Sequence, residues 1–352
     1  MVWQLASRLA AWAPDEAREL LAAAPVDAEL LDVAQLAELL GRVFAVTGAW
    51  PLAAAAFTDA AASWTGLDDA RAEALTALAA ALPLAPFASE EAALAAELAL
   101  VERCLDADRP PPIVERAVVE LRRTLAPRPL LGRLEATCRL APLEVALLVA
   151  AVAPILRPEL PTGSAEAWGP WLAAASLTTV VDLGRLVDLG LLQPGPVLAP
   201  APALVSRLLG RTTVEAPLGV HLRRVAPGAR PGDAAALARA LVLSGGVAVV
   251  VGPPGTGRAA TLARVLAERG LGLFEAQLGG HGRRTALIGA AVEARLHGAL
   301  LVIDLDAWEA PDLDALVALA PIAVVASAEP ALPDELRAFT LTRPAAVGSD
   351  PP

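Results

Sequence analysis

The chain contains no Tyr, and its 28 basic residues are all Arg, because Lys is missing altogether. Aromatic side chains make up only 3 % of the 352 residues, although 56 % are apolar. The apolar mass is mostly Ala, Leu and Val, a bias that a GC-rich genome produces through its Ala, Arg, Gly and Pro codons. Cysteine is nearly absent as well. Cys104 and Cys138 stand far apart without ligand-like spacing, which excludes a disulfide framework and a zinc site and fits a reducing cytoplasm. A long hydrophobic run is also missing. The longest uncharged stretch near the amino end, Val43 to Thr58, is Ala-rich, contains Gly48 and Pro51 and stops at Asp59. It falls short of the ~20 strongly apolar residues of a membrane span. The opening "MVWQLASRLAAWAPDEAREL" carries Arg8 inside its apolar run and acids soon after, unlike a secretory leader. The expectation is a cytoplasmic protein with no membrane partner.

Positive charge is in short supply too. The net charge is −11, with most of the acidic excess before Pro110. Phosphate binding needs a basic surface, so DNA is not expected as a partner of the whole molecule.

What is present divides into three expected domains, since the chain is longer than one core usually spans. Residues 1–110 read as an acidic all-α helical bundle. "DEARELLAAAPVDAELLDVAQLAELLGRVF" spaces Leu at three- and four-residue intervals with its charges on the opposite, solvated face. Ser89 caps "SEEAALAAELALVERCL", and the run "DRPPPIVER" ends the unit. Residues 112–228 read as a winged-helix domain, with helices before a Leu-Leu-X-Pro-Gly hairpin at "GLLQPG". Trp168 and Trp171 fall in its expected core. Its candidate recognition helix, Leu177 to Leu189, carries Asp182, Arg185 and Asp188, a charge that does not favour phosphate and points to a protein-contacting or structural role.

Residues 231–345, followed by a tail at 346–352, alternate strand and helix. Strand Val247–Val251 precedes helix Arg258–Glu268, strand Leu271–Gln277 precedes helix Gly282–Leu296, and strand Ala299–Leu305 precedes helix Pro311–Leu319. Strand Ile322–Ser327 follows. That alternation predicts right-handed crossovers and a parallel α/β sheet.

"GPPGTGR", Gly252, Pro253, Pro254, Gly255, Thr256, Gly257 and Arg258, lies between a buried strand and an amphipathic helix. It fits the glycine-rich phosphate-binding loop, in which backbone N–H groups form an anion nest at a helix amino end. Two chemical groups differ from that pattern. Lys is replaced by Arg258, whose planar fork does not fit the same slot without displacement. The metal-ligating Ser or Thr is replaced by Ala259, and Thr261 faces elsewhere on the helix. The apolar run "ALLVIDLD" delivers Asp304, the candidate metal ligand and catalytic acid. Asp306 is expected on the same strand face as a weaker second acid. Leu305 stands where the water-activating Glu is expected.

"GPPGTGR", "LLVIDLD" and the strand "IAVVAS" ending at Ser327 resemble the first, second and sensor-1 motifs of AAA+ ATPases. The two stretches "LEATCRLAPLEVALLVAAVAPILRPEL" and "LVDLGLLQPGPVLAPAPALVSRLLG" resemble the winged-helix region of a bacterial AAA+ group often encoded with contractile injection systems. The resemblance covers about residues 129–343. It implies a P-loop NTPase domain that binds ATP or ADP with Mg²⁺, and a self-assembled ring that remodels protein partners. It also implies an arginine finger, for which Arg337 and Arg343 are candidates, and substrate contacts at "GGHGRR", Gly279 to Arg284. A C-terminal lid belongs to the family pattern, and with the sequence ending at Pro352 it is expected to be missing. With Arg258, Ala259 and Leu305 in the reactive positions, the expectation is weak nucleotide binding with little or no hydrolysis. Such a chain would serve as an assembly or remodelling component, alongside an intact AAA+ paralogue or in a ring of its own. Two other readings stay open: an active remodelling ATPase, in which Arg258 and Asp306 stand in for the lost groups, and a winged-helix DNA-binding regulator with a vestigial site.

Overall fold

The computed structural model describes residues 14–23, 30–106, 112–162, 168–173, 183–195, 197–210, 220–228, 247–253, 255, 257–278, 283–307, 322–327 and 340–342. The chain divides into two compact units, Met1–Val187 with Leu191–Leu209, and Asp188–Gly190 with Gly210–Pro352. No helix among the described residues is long and apolar enough to cross a membrane.

The first unit is helical. Its described helices are α1 (Pro14–Ala23), α2 (Leu30–Val46), α3 (Trp50–Trp64), α4 (Asp69–Ala81), α5 (Glu90–Leu105), α6 (Ile113–Thr124), α7 (Leu130–Cys138), α8 (Pro142–Leu156), α9 (Gly169–Ala173), α10 (Leu183–Asp188) and α11 (Pro202–Leu208). Ser89 and Asp68 start α5 and α4 by accepting the N–H of Ala92 and Arg71, which satisfies donors a helix start leaves open. Ala-rich faces let the helices close on Phe57 and Trp64, packed with Ala34, Ala45, Leu75, Leu78 and Leu121. Gly41 is part of that closeness, because a Cβ there would meet the Phe57 ring at 2.5 Å.

The charges of this unit are not all on a solvated face, as the Leu spacing predicts. Glu38, Glu97, Glu120 and Glu135 are buried, and so are Arg116 and Arg123. They are held inside because each finds an opposite charge from another helix or from the next turn, which offsets the cost of leaving water. Trp168 and Trp171 are both 1 % exposed. The Trp171 indole N–H donates to the Ala146 carbonyl at 2.8 Å.

Of the expected winged helix, the structure describes α10 and then a short antiparallel hairpin. There the N–H of Gln193 donates to Ala199 and that of Ala201 to Leu191, before α11 begins. The first half of the candidate recognition helix lies outside the described residues.

The second unit holds a six-stranded sheet in the order β1-β3-β4-β5-β2-β6. The strands are β1 (Val220–Arg224), β2 (Val247–Val251), β3 (Gly272–Leu278), β4 (Ala299–Asp304), β5 (Ile322–Ala326) and β6 (Thr340–Thr342), with α12 (Arg258–Ala267) after β2 and α13 (Arg283–Leu296) after β3. Strands β2 to β6 run parallel, and β1 pairs antiparallel with β3. Both faces are apolar, as parallel strands covered by crossovers require. Val249, Val251, Leu301, Ile303 and Val324 pack with Leu287, Ala290 and Ala294 of α13, while Val250, Val302 and Val325 of the opposite face are also buried.

Several boundaries differ from the sequence reading: β3 runs Gly272–Leu278 rather than Leu271–Gln277, α12 ends at Ala267 and β5 at Ala326. Val220–Arg224, expected inside a winged-helix domain at 112–228, is an edge strand of the sheet. Its "VHLRR" is too polar to announce a strand, and only pairing with β3 makes it one. The strand read as Ala299–Leu305 ends at Asp304. Helix Pro311–Leu319, Arg337, Arg343 and the tail lie outside the described residues, as does "GGHG" before α13.

Candidate functional site

The site is built at the carboxyl ends of three neighbouring parallel strands. β4, β5 and β2 are adjacent, with Asp304 beside Val325 and Val251 beside Ala326. The chain leaves β2 at Gly252, whose N–H donates to the Ala326 carbonyl at 3.0 Å. Pro253, Gly255 and Gly257 are exposed. Gly255 has φ +81° and Gly257 has φ +72°, left-handed values that cost an L side chain and suit Gly. Gly257 caps α12 without a side-chain hydrogen bond. A helix start of this kind presents main-chain N–H groups and the positive end of the helix dipole, which favour an anion. Pro254 and Thr256 lie outside the described residues.

Arg258 opens α12, yet its side chain is only 8 % exposed. It turns back across the strand ends. Its Nη1 donates to the Gly252 carbonyl at 3.1 Å and to Asp306 Oδ2 at 3.0 Å, and its Nη2 lies 3.6 Å from Asp304 Oδ2. The other oxygens are also engaged. Asp306 Oδ1 accepts the N–H and the hydroxyl of Ser327, each at 2.8 Å, and Asp304 Oδ1 accepts the Asp306 N–H at 3.0 Å. One guanidinium thus ties the loop to the acidic strand end, and Asp306 carries the link on to Ser327.

Asp306 is not on the strand face that period two predicts. Residues Leu305–Ala307 form a 3-10 turn, which swings Asp306 toward Arg258 and Ser327 while Leu305 is buried. Two neighbouring carboxylates then behave differently. Burial holds the Asp304 carboxyl above its ordinary range, against the Asp306 N–H and the Arg258 charge. Burial also acts on Asp306, but the Ser327 N–H and hydroxyl and the Arg258 guanidinium outweigh it and hold that carboxyl below the usual range.

The donor set does not fit a magnesium ion with Arg258 in this position. Ala259 supplies no oxygen, Thr261 is buried in α12, and the free oxygens of both acids face a guanidinium. Among the described residues, no group of three or more His, Cys, Asp and Glu side chains is arranged to hold a metal.

A second polar cluster, which the sequence reading did not single out, lies in the helical unit. Arg71 makes paired bonds to Glu38 at 2.7 and 3.0 Å, and Arg42 bridges Glu38 and Glu120 at 3.3 and 3.5 Å. Arg116 binds Glu120 at 3.0 Å and stacks on Trp171 at 3.9 Å. These groups line a cavity of about 30 Å³, space for water rather than for a ligand. Arg123 joins Glu97 and Glu135 nearby, at 2.5 and 2.8 Å. The only sequence signal was "IVERAVVELRR", charges spaced among apolar residues on a helix that has to be buried. In the same unit, Arg185 donates to both Glu144 oxygens, at 2.7 and 2.8 Å. It also donates to the Cys138 and Arg139 carbonyls. This guanidinium is held internally rather than presented to a nucleic-acid backbone.

Comparison with protein-family models, with curated proteins and with solved structures found no match.

Proposed function

We propose that this chain is an AAA+-like P-loop protein that binds ATP or ADP weakly through its loop backbone and hydrolyses it little or not at all. It would act in the cytoplasm as an assembly or remodelling component, alone in a ring or beside a hydrolysing AAA+ partner. One observation carries the reading: a glycine loop with left-handed residues, a pair of carboxylates and Ser327 converge at the carboxyl edge of a parallel sheet. They do so where β2 and β5 lie side by side, and the chain leaves β2 toward β3 on one side of the sheet but leaves β5 for β6 on the other. Such switch points are where open α/β sheets bind ligands.

The weakness follows from charge. The Arg258 guanidinium, +1, faces two carboxylates, so side chains leave the site near −1 and the attraction for phosphate falls to the main-chain N–H groups. The lack of turnover follows from Leu305 and Ala259, neither of which can activate water or hold a metal. Each missing transition-state group costs about 10²–10³ in rate, with incomplete additivity.

The test is equilibrium dialysis of labelled ATP together with phosphate release by the full chain. The reading expects saturable weak binding and release no faster than a buffer blank. Release that Asp304→Ala abolishes would replace it with the active remodelling ATPase.

A further inference from the structure

We infer that the Arg258 guanidinium is the built-in cation of this site, holding the two carboxylate oxygens that a divalent metal ion would otherwise take. The wild-type site therefore excludes Mg²⁺ and Mn²⁺, and any phosphate ligand it binds enters without a metal.

Of the four carboxylate oxygens of Asp304 and Asp306, the two Oδ2 atoms face Arg258 at 3.6 and 3.0 Å. The two Oδ1 atoms already accept from Asp306 N–H and from Ser327. A metal bridging the pair would have to use the Oδ2 atoms. To reach them it would have to displace a side chain that is 92 % buried (8 % exposed) and pinned to the Gly252 carbonyl at 3.1 Å.

Arg suits that role for three reasons. It cannot lose its proton in a protein, so the positive charge is permanent. Its planar fork spreads five donors in fixed directions over its nitrogens, and here reaches two carboxylates and a carbonyl at once, whereas an ammonium has three donors on one nitrogen. It also needs no water shell, whereas magnesium demands near-octahedral oxygen ligands and keeps several waters. The neighbouring position completes the case, because Ala259 removes the hydroxyl that would help to hold a metal. Arg258 and Ala259 then act together: a covalently attached cation stands where a bound one would need the hydroxyl.

The test uses Mn²⁺ alone, with no nucleotide, titrated into the full chain while the free-Mn²⁺ paramagnetic resonance signal is followed. Four chains are compared: wild type, Asp304→Asn, Arg258→Gln, and Arg258→Gln combined with Asp304→Asn. Wild type is expected to leave the signal unchanged. Arg258→Gln should bind Mn²⁺ at least about tenfold more tightly than wild type, and the double variant should lose that gain. Uptake by the wild type that Asp304→Asn removes would overturn the inference, and this arm stands even if Arg258→Gln fails to fold. No gain in a folded Arg258→Gln chain would overturn it too. The statement about phosphate ligands rests on the nucleotide reading, and a separate arm addresses it. ATP affinity of the wild type should agree within about twofold in EDTA and in Mg²⁺. A strong preference for Mg²⁺ would contradict the inference, whereas no ATP binding in either buffer would overturn the nucleotide reading itself.

Discussion

Arginine is buried or half-buried against carboxylates in both units, but in different settings. In the helical unit, Arg42, Arg71, Arg116 and Arg123 are matched by Glu38, Glu97, Glu120 and Glu135, four charges of each sign inside a bundle. In the α/β unit a single guanidinium, Arg258, meets two carboxylates that keep 30 % and 32 % of their side-chain surface exposed, at a strand edge beside a glycine loop. The first cluster is closed on itself, and its charges can only shape the bundle. The second faces solvent with its acids and hides only its base, so that breaking it changes what the site can hold. Burying a charged group is therefore not a sign of function by itself; the openness of its partners and the backbone beside them decide.

The largest effect is expected in the bundle. Glu120 sits between Arg116 and Arg42, whose charges hold its carboxyl below the usual range despite full burial. Glu120→Ala leaves Arg116 without its carboxylate and Arg42 with Glu38 alone, and should cost about 3–5 kcal/mol, seen as a lower urea midpoint, with ATP binding in dialysis unchanged in whatever fraction remains folded. Arg258→Ala should cost less, about 1–3 kcal/mol, because the Gly252 carbonyl loses a donor while the two acids can turn to water. Unlike the bundle variant it should alter ligand behaviour. A loss of more than that in Arg258→Ala, with no change in ligand behaviour, would erase the contrast between the clusters.

Acidity separates the two acids of the site. Asp306 has a lowered folded-state pKa, so its contribution is complete above the ordinary Asp value near ~3.9 and is lost as pH falls through the lower folded value. Asp304 has a raised one, so its contribution is present below ~3.9 and is lost as pH rises through the folded value. The stability difference between wild type and Asp306→Asn, read from urea midpoints, should shrink on going from about pH 6 to about pH 3. Asp304→Asn should show the opposite trend, becoming relatively more favourable toward neutral pH.

Smaller effects sharpen the comparison further. Ser327→Ala removes the hydroxyl but leaves the main-chain N–H on Asp306 Oδ1, and should cost about 1 kcal/mol in a urea melt. Arg264→Ala, which breaks an exposed pair with Glu268 at 3.2 Å, should stay within about 0.5 kcal/mol of wild type.

Much of the α/β unit was legible along the chain. The strands at Val247, Ala299 and Ile322 and the helices at Arg258 and Arg283 announce themselves because apolar runs, glycines and amphipathic spacing are local signals. What was not legible depends on distant pairing. Val220–Arg224 becomes a strand only against β3. Asp306 reaches Arg258 through a 3-10 turn that no periodicity reveals. The inward turn of Arg258 joins residues 48 and 6 positions away, so a displaced phosphate ligand and an internal cation look alike in the sequence. In the bundle, Glu38 and Arg42 read as a solvated face because their partners, Arg71 and Glu120, come from other helices.

The central claim is that main-chain N–H groups of the loop hold an anion while Arg258 stays with its two acids. Gly255 offers the cleanest probe, since its φ of +81° resists an L side chain while, among the described residues, nothing lies within 4 Å of an added Cβ. Calorimetric titration of ATP in EDTA into wild type and into Gly255→Val compares the two backbones directly. The account predicts weak, saturable binding to wild type and none to the variant; equal binding to both, or none to wild type, would contradict it.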